Sequence, residues 1–96
     1  MNTAIRCPKF PLGQVVATPG ALEALGNSGQ TPEFFLSRHV QGDWGDVCEG
    51  DKKLNDEAVV GGERILSAYR TLRNVRIWII TEADRSATTF LLPHEY

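Results

Sequence analysis

Residues 64–96 read RILSAYRTLRNVRIWIITEADRSATTFLLPHEY, and this stretch decides the fold class. Its side chains alternate with a period of two, the spacing of a pleated strand. Ile65, Ser67 and Tyr69 share one face, and Leu66 and Ala68 the other. In the next run Val75, Ile77, Ile79 and Thr81 line one side, with Arg76, Trp78 and Ile80 opposite. Both sides are apolar around Ile77–Ile80, as expected of a strand with neighbours on both edges. Thr71–Asn74 and Glu82–Ser86 have the length and composition of hairpin turns. Residues 87–92 return as an edge or near-edge strand, which Pro93 ends. The expectation is a three-stranded antiparallel meander with 75–81 in its middle.

Upstream the pattern changes. Gly13–Ala17 is a short strand candidate. Thr18-Pro19 pairs an N-cap with proline at the first helical position, so a helix is predicted over 19–25, stopped by Gly26-Asn27. Thr31-Pro32 repeats the device and predicts a second helix over 32–39. Asp43 is the expected cap of a third, longer helix over 44–60, with Trp44, Val47, Cys48, Leu54 and Ala58 as its apolar stripe. Asp51 and Asn55 interrupt that stripe, and Gly61-Gly62 ends it. Strands segregated from helices imply an α+β domain, a small antiparallel sheet packed against about three helices.

The 96 residues suit one domain, read as 10–96 behind a flexible arm at 1–9. Hydrophobic residues make up 42% and charged residues 23%, a balance that excludes disorder. The net charge of −2 gives no overall pull toward nucleic acid or membrane, but it is unevenly spread. Residues 1–63 carry five basic and nine acidic side chains; residues 64–96 carry five and three, every cation there being arginine. No apolar run reaches membrane-spanning or signal-peptide length, so a cytoplasmic location is expected. Cys7 and Cys48 then read as free thiols.

Four constellations bear on function. His39, Asp43, Asp46 and Cys48 are metal-ligand types, but their spacing matches no zinc pattern, and no metal or cofactor is expected. Asp51 and Asn55 lie one turn apart and either line a contact site or sit at the helix boundary, Asp51 pairing with Arg64 or Arg70. Glu82, Asp84 and Arg85, with Thr88 nearby, place acids, a cation and a hydroxyl at a hairpin tip, where loops on rigid scaffolds often act. Arg70, Arg73 and Arg76 interleave with Tyr69 and Trp78, a mixture suited to phosphate contact and base stacking. Ser67 and Tyr69 form a hydroxyl pair with no lysine or histidine near them in sequence, so both read as packing.

The segments FPLGQVVATPGALEAL (10–25), GDWGD (42–46) and IWIITEADRSATTFLLPHEY (77–96) resemble a family of small bacterial "plasmid-related" proteins carried on plasmids and other mobile elements. The resemblance implies a mobile-element setting and supplies no mechanism. With no catalytic set in view, the expected function is that of a non-enzymatic accessory or modulator protein. It would act through contacts with another protein, using Glu82, Asp84, Arg85, Thr88, Asp51 and Asn55. The alternative is a nucleic-acid-binding module using Arg70, Arg73, Arg76 and Trp78. A third reading is a small enzyme or toxin with a site near the 81–86 turn or at His39. Self-association through the third helix or a bare sheet edge is a further expectation.

Overall fold

A computed structural model describes residues 8–96. Strand β1 (Gln14–Ala17) is followed by helices α1 (Pro19–Ser28), α2 (Pro32–Val40) and α3 (Glu49–Gly61). Strands β2 (Ile65–Arg70), β3 (Arg76–Thr81) and β4 (Ala87–Leu91) complete the sheet, and a 3-10 turn (Pro93–Glu95) closes the chain. The fold class is α+β. The sheet order is β1-β4-β3-β2, so β3 lies inside with a partner on either edge. The β2–β3 and β3–β4 pairs are antiparallel. β1 joins β4 in parallel, which makes the sheet mixed rather than wholly antiparallel.

The alternation of the meander sorts its two faces. Tyr69, Ile77, Ile79 and Phe90 point to one side, where Ala21 and Leu25 of α1 and Phe35 and Leu36 of α2 pack on them. Ile65 continues that face toward α3, joining Phe10, Val40, Trp44 and Ala58 in a second cluster. All three helices therefore cover one face. Burying these side chains contributes about 1.5–3 kcal/mol for each large residue, which is what holds so small a domain together.

Helix boundaries follow their caps with one large exception. Thr18 accepts from the Ala21 amide at 3.2 Å, as its sequence position predicts. α1 runs through Gly26-Asn27 and ends at Gly29, the residue that adopts the left-handed conformation (φ 69°). α2 ends one residue later than expected, at Val40. The exception is α3, which begins at Glu49 and not at Trp44. Asp43 does not cap it: its carboxylate takes the Gly45 amide at 3.2 Å and the Arg38 guanidinium at 2.7 Å. The physical reason is Gly45, whose φ of 75° no helix can hold. A Cβ there would run into the Ala68 carbonyl, because Gly45 forms a parallel bridge to Ala68. Trp44 is thus buried from an extended segment, and the expected stripe fails at Leu54, which is 62% exposed.

That extended segment closes one edge of the sheet. The Ala68 amide donates to the Trp44 carbonyl at 3.1 Å, and the Asp46 amide donates to the Ala68 carbonyl at 2.7 Å. One step along, the Asn55 carboxamide donates to the Leu66 carbonyl at 2.7 Å and accepts the Leu66 amide at 3.2 Å. A side chain and a bridge thus satisfy the outward backbone groups of Leu66 and Ala68 on the edge strand β2.

Of the expected arm, residues 1–7, Cys7 among them, lie outside the described residues. Lys9 donates its amide to the Val40 carbonyl at 2.7 Å, and Phe10 is buried. No described helix is long and apolar enough to cross a membrane.

Candidate functional site

Inside the helix–sheet interface runs a chain of buried hydrogen bonds. Ser67, His39, Thr81 and Thr88 are each 0% exposed. His39 Nδ1 lies 2.5 Å from Ser67 Oγ, and its Nε2 lies 2.9 Å from Thr81 Oγ1. Thr81 Oγ1 is 2.8 Å from Thr88 Oγ1, and Thr88 donates to the Leu12 carbonyl at 2.7 Å. The terminal carbonyl sets the direction of every bond. It can only accept, so Thr88 donates to it and accepts from Thr81. Thr81 then accepts from His39 Nε2–H, which leaves Nδ1 bare to accept the Ser67 hydroxyl proton. The imidazole is therefore the neutral Nε2–H tautomer. Burial pushes its pKa from 6.5 down to about 3.

The serine–histidine pair resembles half of a hydrolytic triad, and its setting denies it that chemistry. Neither residue is reachable by substrate, and the ring nitrogen opposite the serine faces a hydroxyl instead of a carboxylate. Ser67 and His39 are 28 positions apart, so the fold supplies the histidine that the local sequence around Ser67 lacks. The nearby phenol is likewise held inward. Tyr69 donates to the Asp43 carbonyl at 2.5 Å, and burial raises its pKa.

The hairpin tip is also largely engaged inside the molecule. Arg85 donates to the Ala58 carbonyl at 2.8 Å, the Glu63 carbonyl at 2.7 Å and the Glu82 carbonyl at 3.1 Å. Its guanidinium thereby meets the carbonyl end of α3, where the helix dipole favours a cation. Within the turn it is the Glu82 backbone carbonyl that Arg85 meets. Arg85 also sits at φ 61°, the left-handed position closing a tight turn, where glycine or asparagine is usual. Asp84 accepts the Ser86 amide at 3.0 Å; the Ser86 bonds hold its carboxyl below the usual range. Of the six residues expected at a contact site, Asn55, Arg85 and Thr88 are spent on internal bonds. Glu82, Asp84 and Asp51 remain exposed. Asp51 does not pair with Arg64 or Arg70: Arg70 faces Asp46 at 3.5 Å, in the open, where such a pair contributes little.

The outer face of the sheet, opposite the helices, is different in kind. Arg70 lies directly across from Arg76, and Ala68 from Trp78. Arg76, Arg73 and Arg64 are exposed, with no ion-pair partner among the described residues. Trp78 meets Tyr96 edge-on at 5.7 Å between ring centroids. The Arg64 guanidinium lies 5.5 Å from the Tyr96 centroid. Trp78 therefore packs with Tyr96. Between Trp78 and Arg64, Ile80 and Leu66 pair in the register as an apolar floor. Glu95 fixes the tail: its carboxylate takes the Thr18 hydroxyl at 2.5 Å, the Leu92 amide at 2.8 Å and the Gly20 amide at 3.3 Å. The Thr18 bond, with those from Leu92 and Gly20, holds that carboxyl below its ordinary range.

Arg64 and Tyr96 belong to this face and were not among the sequence candidates. The signal for Arg64 was the strand period, which puts it in line with Leu66 and Ala68. Tyr96 carried none, because only the fold brings the chain end back over β3. Beside the face, Leu54, Glu57, Ala58, Gly61, Glu63 and Arg64 line an open groove of about 540 Å³. Among the described residues no three side chains of metal-ligating type cluster. Cys48 is free and exposed. Comparison with protein-family models, characterised proteins and solved structures gives no match to this chain.

Proposed function

We propose that this protein is a non-enzymatic binding module, an accessory protein of a mobile genetic element, and that its working surface is the outer face of the sheet. The mobile-element setting rests on the sequence resemblance alone. The partner that the chemistry of the face fits best is single-stranded nucleic acid. One observation carries this reading: Arg64, Arg70 and Arg76 share a sheet face with Trp78 and Tyr96, with Arg73 in the adjoining turn, and three of these cations have no ion-pair partner among the described residues. Arginines on a sheet suit a phosphate backbone, and aromatic rings beside them suit stacked bases. The net charge of −2 is unevenly spread, residues 64–96 carrying five arginines against three acids, and Asp46 is the acid that meets this set, at Arg70.

A partner protein on the same face is the second reading, since tryptophan, tyrosine and arginine also dominate protein contact hot spots. Either way the surface moves from the 81–86 turn, where Arg85 is occupied, to the strands beside it.

Fluorescence anisotropy with a labelled single strand of about 20 nucleotides tests the reading, and affinity is expected to fall steeply with salt. Arg76→Ala and Trp78→Ala should each weaken binding about tenfold or more. Glu82→Ala and Asp84→Ala should leave it unchanged. No binding at low salt eliminates the nucleic-acid reading. Capture of a protein that Trp78→Ala releases would then favour the second.

A further inference from the structure

We propose that β1 is a self-pairing edge, and that two copies of this chain join antiparallel through it into one continuous eight-stranded sheet. This goes beyond the binding reading and does not depend on it.

The two edges of the sheet are unlike. The β2 edge is closed by Asn55 and by the bridge at Gly45. At the other edge, the Gln14 amide donates to Ser86 at 3.0 Å and the Thr18 amide to Phe90 at 2.9 Å. In a parallel pair the backbone groups of alternate residues face the neighbour. Gln14, Val16 and Thr18 therefore face β4, and Val15 and Ala17 direct their amides and carbonyls outward. No described residue meets them. Edge strands left open are usually guarded by charge, proline, a bulge, a covering loop or very short length, and of these β1 has, among the described residues, only its four-residue length. The strand QVVA has no charge and no proline, and Val15 and Val16 are 42% and 41% exposed, one on each face.

The occupant that fits this edge is the same strand. An uncharged strand meets its own copy without like-charge repulsion. A two-fold axis through Val16 sets Val15 of each copy against Ala17 of the other. Those are the outward-facing residues, so all their groups pair, and Val16 meets its counterpart on the outer face. An added strand of the same alternation covers Val15 and Val16 together. With one open edge among the described residues, the assembly closes at two copies and does not grow into a fibre. An axis normal to the sheet keeps both outer faces on the same side.

A four-strand-residue edge buries little area, so a dissociation constant of order 10–100 μM is expected. Sedimentation of the full chain from about 1 μM to about 1 mM should show a monomer–dimer equilibrium. Val15→Pro removes only an outward amide and leaves the β4 ladder intact; it should raise the dissociation constant at least about tenfold. Val16→Lys and Val16→Glu should each be monomeric alone and form a heterodimer when mixed. A wild type that stays monomeric at about 1 mM overturns the proposal. So does a lysine–glutamate mixture that fails to associate while the wild type dimerises, because the contact then lies elsewhere. Saturable binding of an extended peptide to monomeric wild type, lost in Val15→Pro, would assign the edge to another chain and also overturn it.

Discussion

His39 shows how a single residue can look functional and be structural. Its imidazole is neutral because the fold denies it water, and its two nitrogens hold α2 against β2 and β3 through Ser67 and Thr81. The consequence is a pH dependence whose sign follows from linkage. The folded pKa of about 3 lies below the unfolded 6.5, so between them the unfolded chain binds the proton more readily. This stabilisation is complete above 6.5 and is lost as pH falls toward 3. Between about pH 7 and pH 5 the loss should be about 2 kcal/mol, read as a falling urea midpoint. His39→Asn, which cannot charge, should be less stable at neutral pH and flat across that interval. A second residue-scale prediction concerns Asn55. Asn55→Ala leaves the Leu66 amide and carbonyl without partners and should cost about 2 kcal/mol in denaturant unfolding, with faster hydrogen exchange at Leu66 and Ala68.

At the scale of elements, α3 is the least secured of the helices. Only Asn55 and Ala58 of it are buried, and its N-cap, Cys48, makes no side-chain hydrogen bond although its backbone has cap geometry. Cys48→Asp should supply both the missing acceptor and a favourable charge at the positive end of the dipole. A gain of about 1 kcal/mol is expected, visible as a higher thermal midpoint. The other end is held from outside, by Arg85 reaching the Ala58 and Glu63 carbonyls. That contact explains why an arginine occupies a left-handed position in the β3–β4 turn: the side chain it carries offsets the backbone strain. Element positions were largely readable from the chain. Thr18-Pro19, Thr31-Pro32, Gly61-Gly62 and the period-two run from Ile65 located α1, α2, the end of α3 and the meander. The start of α3 was not readable, because the helical spacing of Trp44, Val47 and Cys48 is shared by an extended segment whose glycine pairs with a strand 23 positions on.

For the whole molecule, the C-terminal tail acts as a clasp. Glu95 ties it to the start of α1, and Tyr96 lies against Trp78 on the outer face. Deleting residues 93–96 should lower the thermal midpoint and shift Trp78 emission to longer wavelength. Trp44, which is 3% exposed and donates to Asp56, should keep its buried emission. Tryptophan fluorescence of the truncated chain and of a Trp78→Phe control separates the two signals. If the outer face binds single strands as proposed, the same deletion should weaken binding by removing one of its two rings.

By itself the sequence determined the fold class and most element positions, since periodicity, caps and glycine stops act over a few residues. Its period also put Arg76 and Trp78 on one face of the same strand. Tertiary structure alone decided which polar groups are available, because that depends on partners far away in the chain. Arg85 is taken by α3, Thr88 by Leu12 and Asn55 by β2, while Tyr96 arrives beside Trp78. The same long-range pairing put β1 parallel to β4, closed one edge of the sheet and left the other without a partner among the described residues.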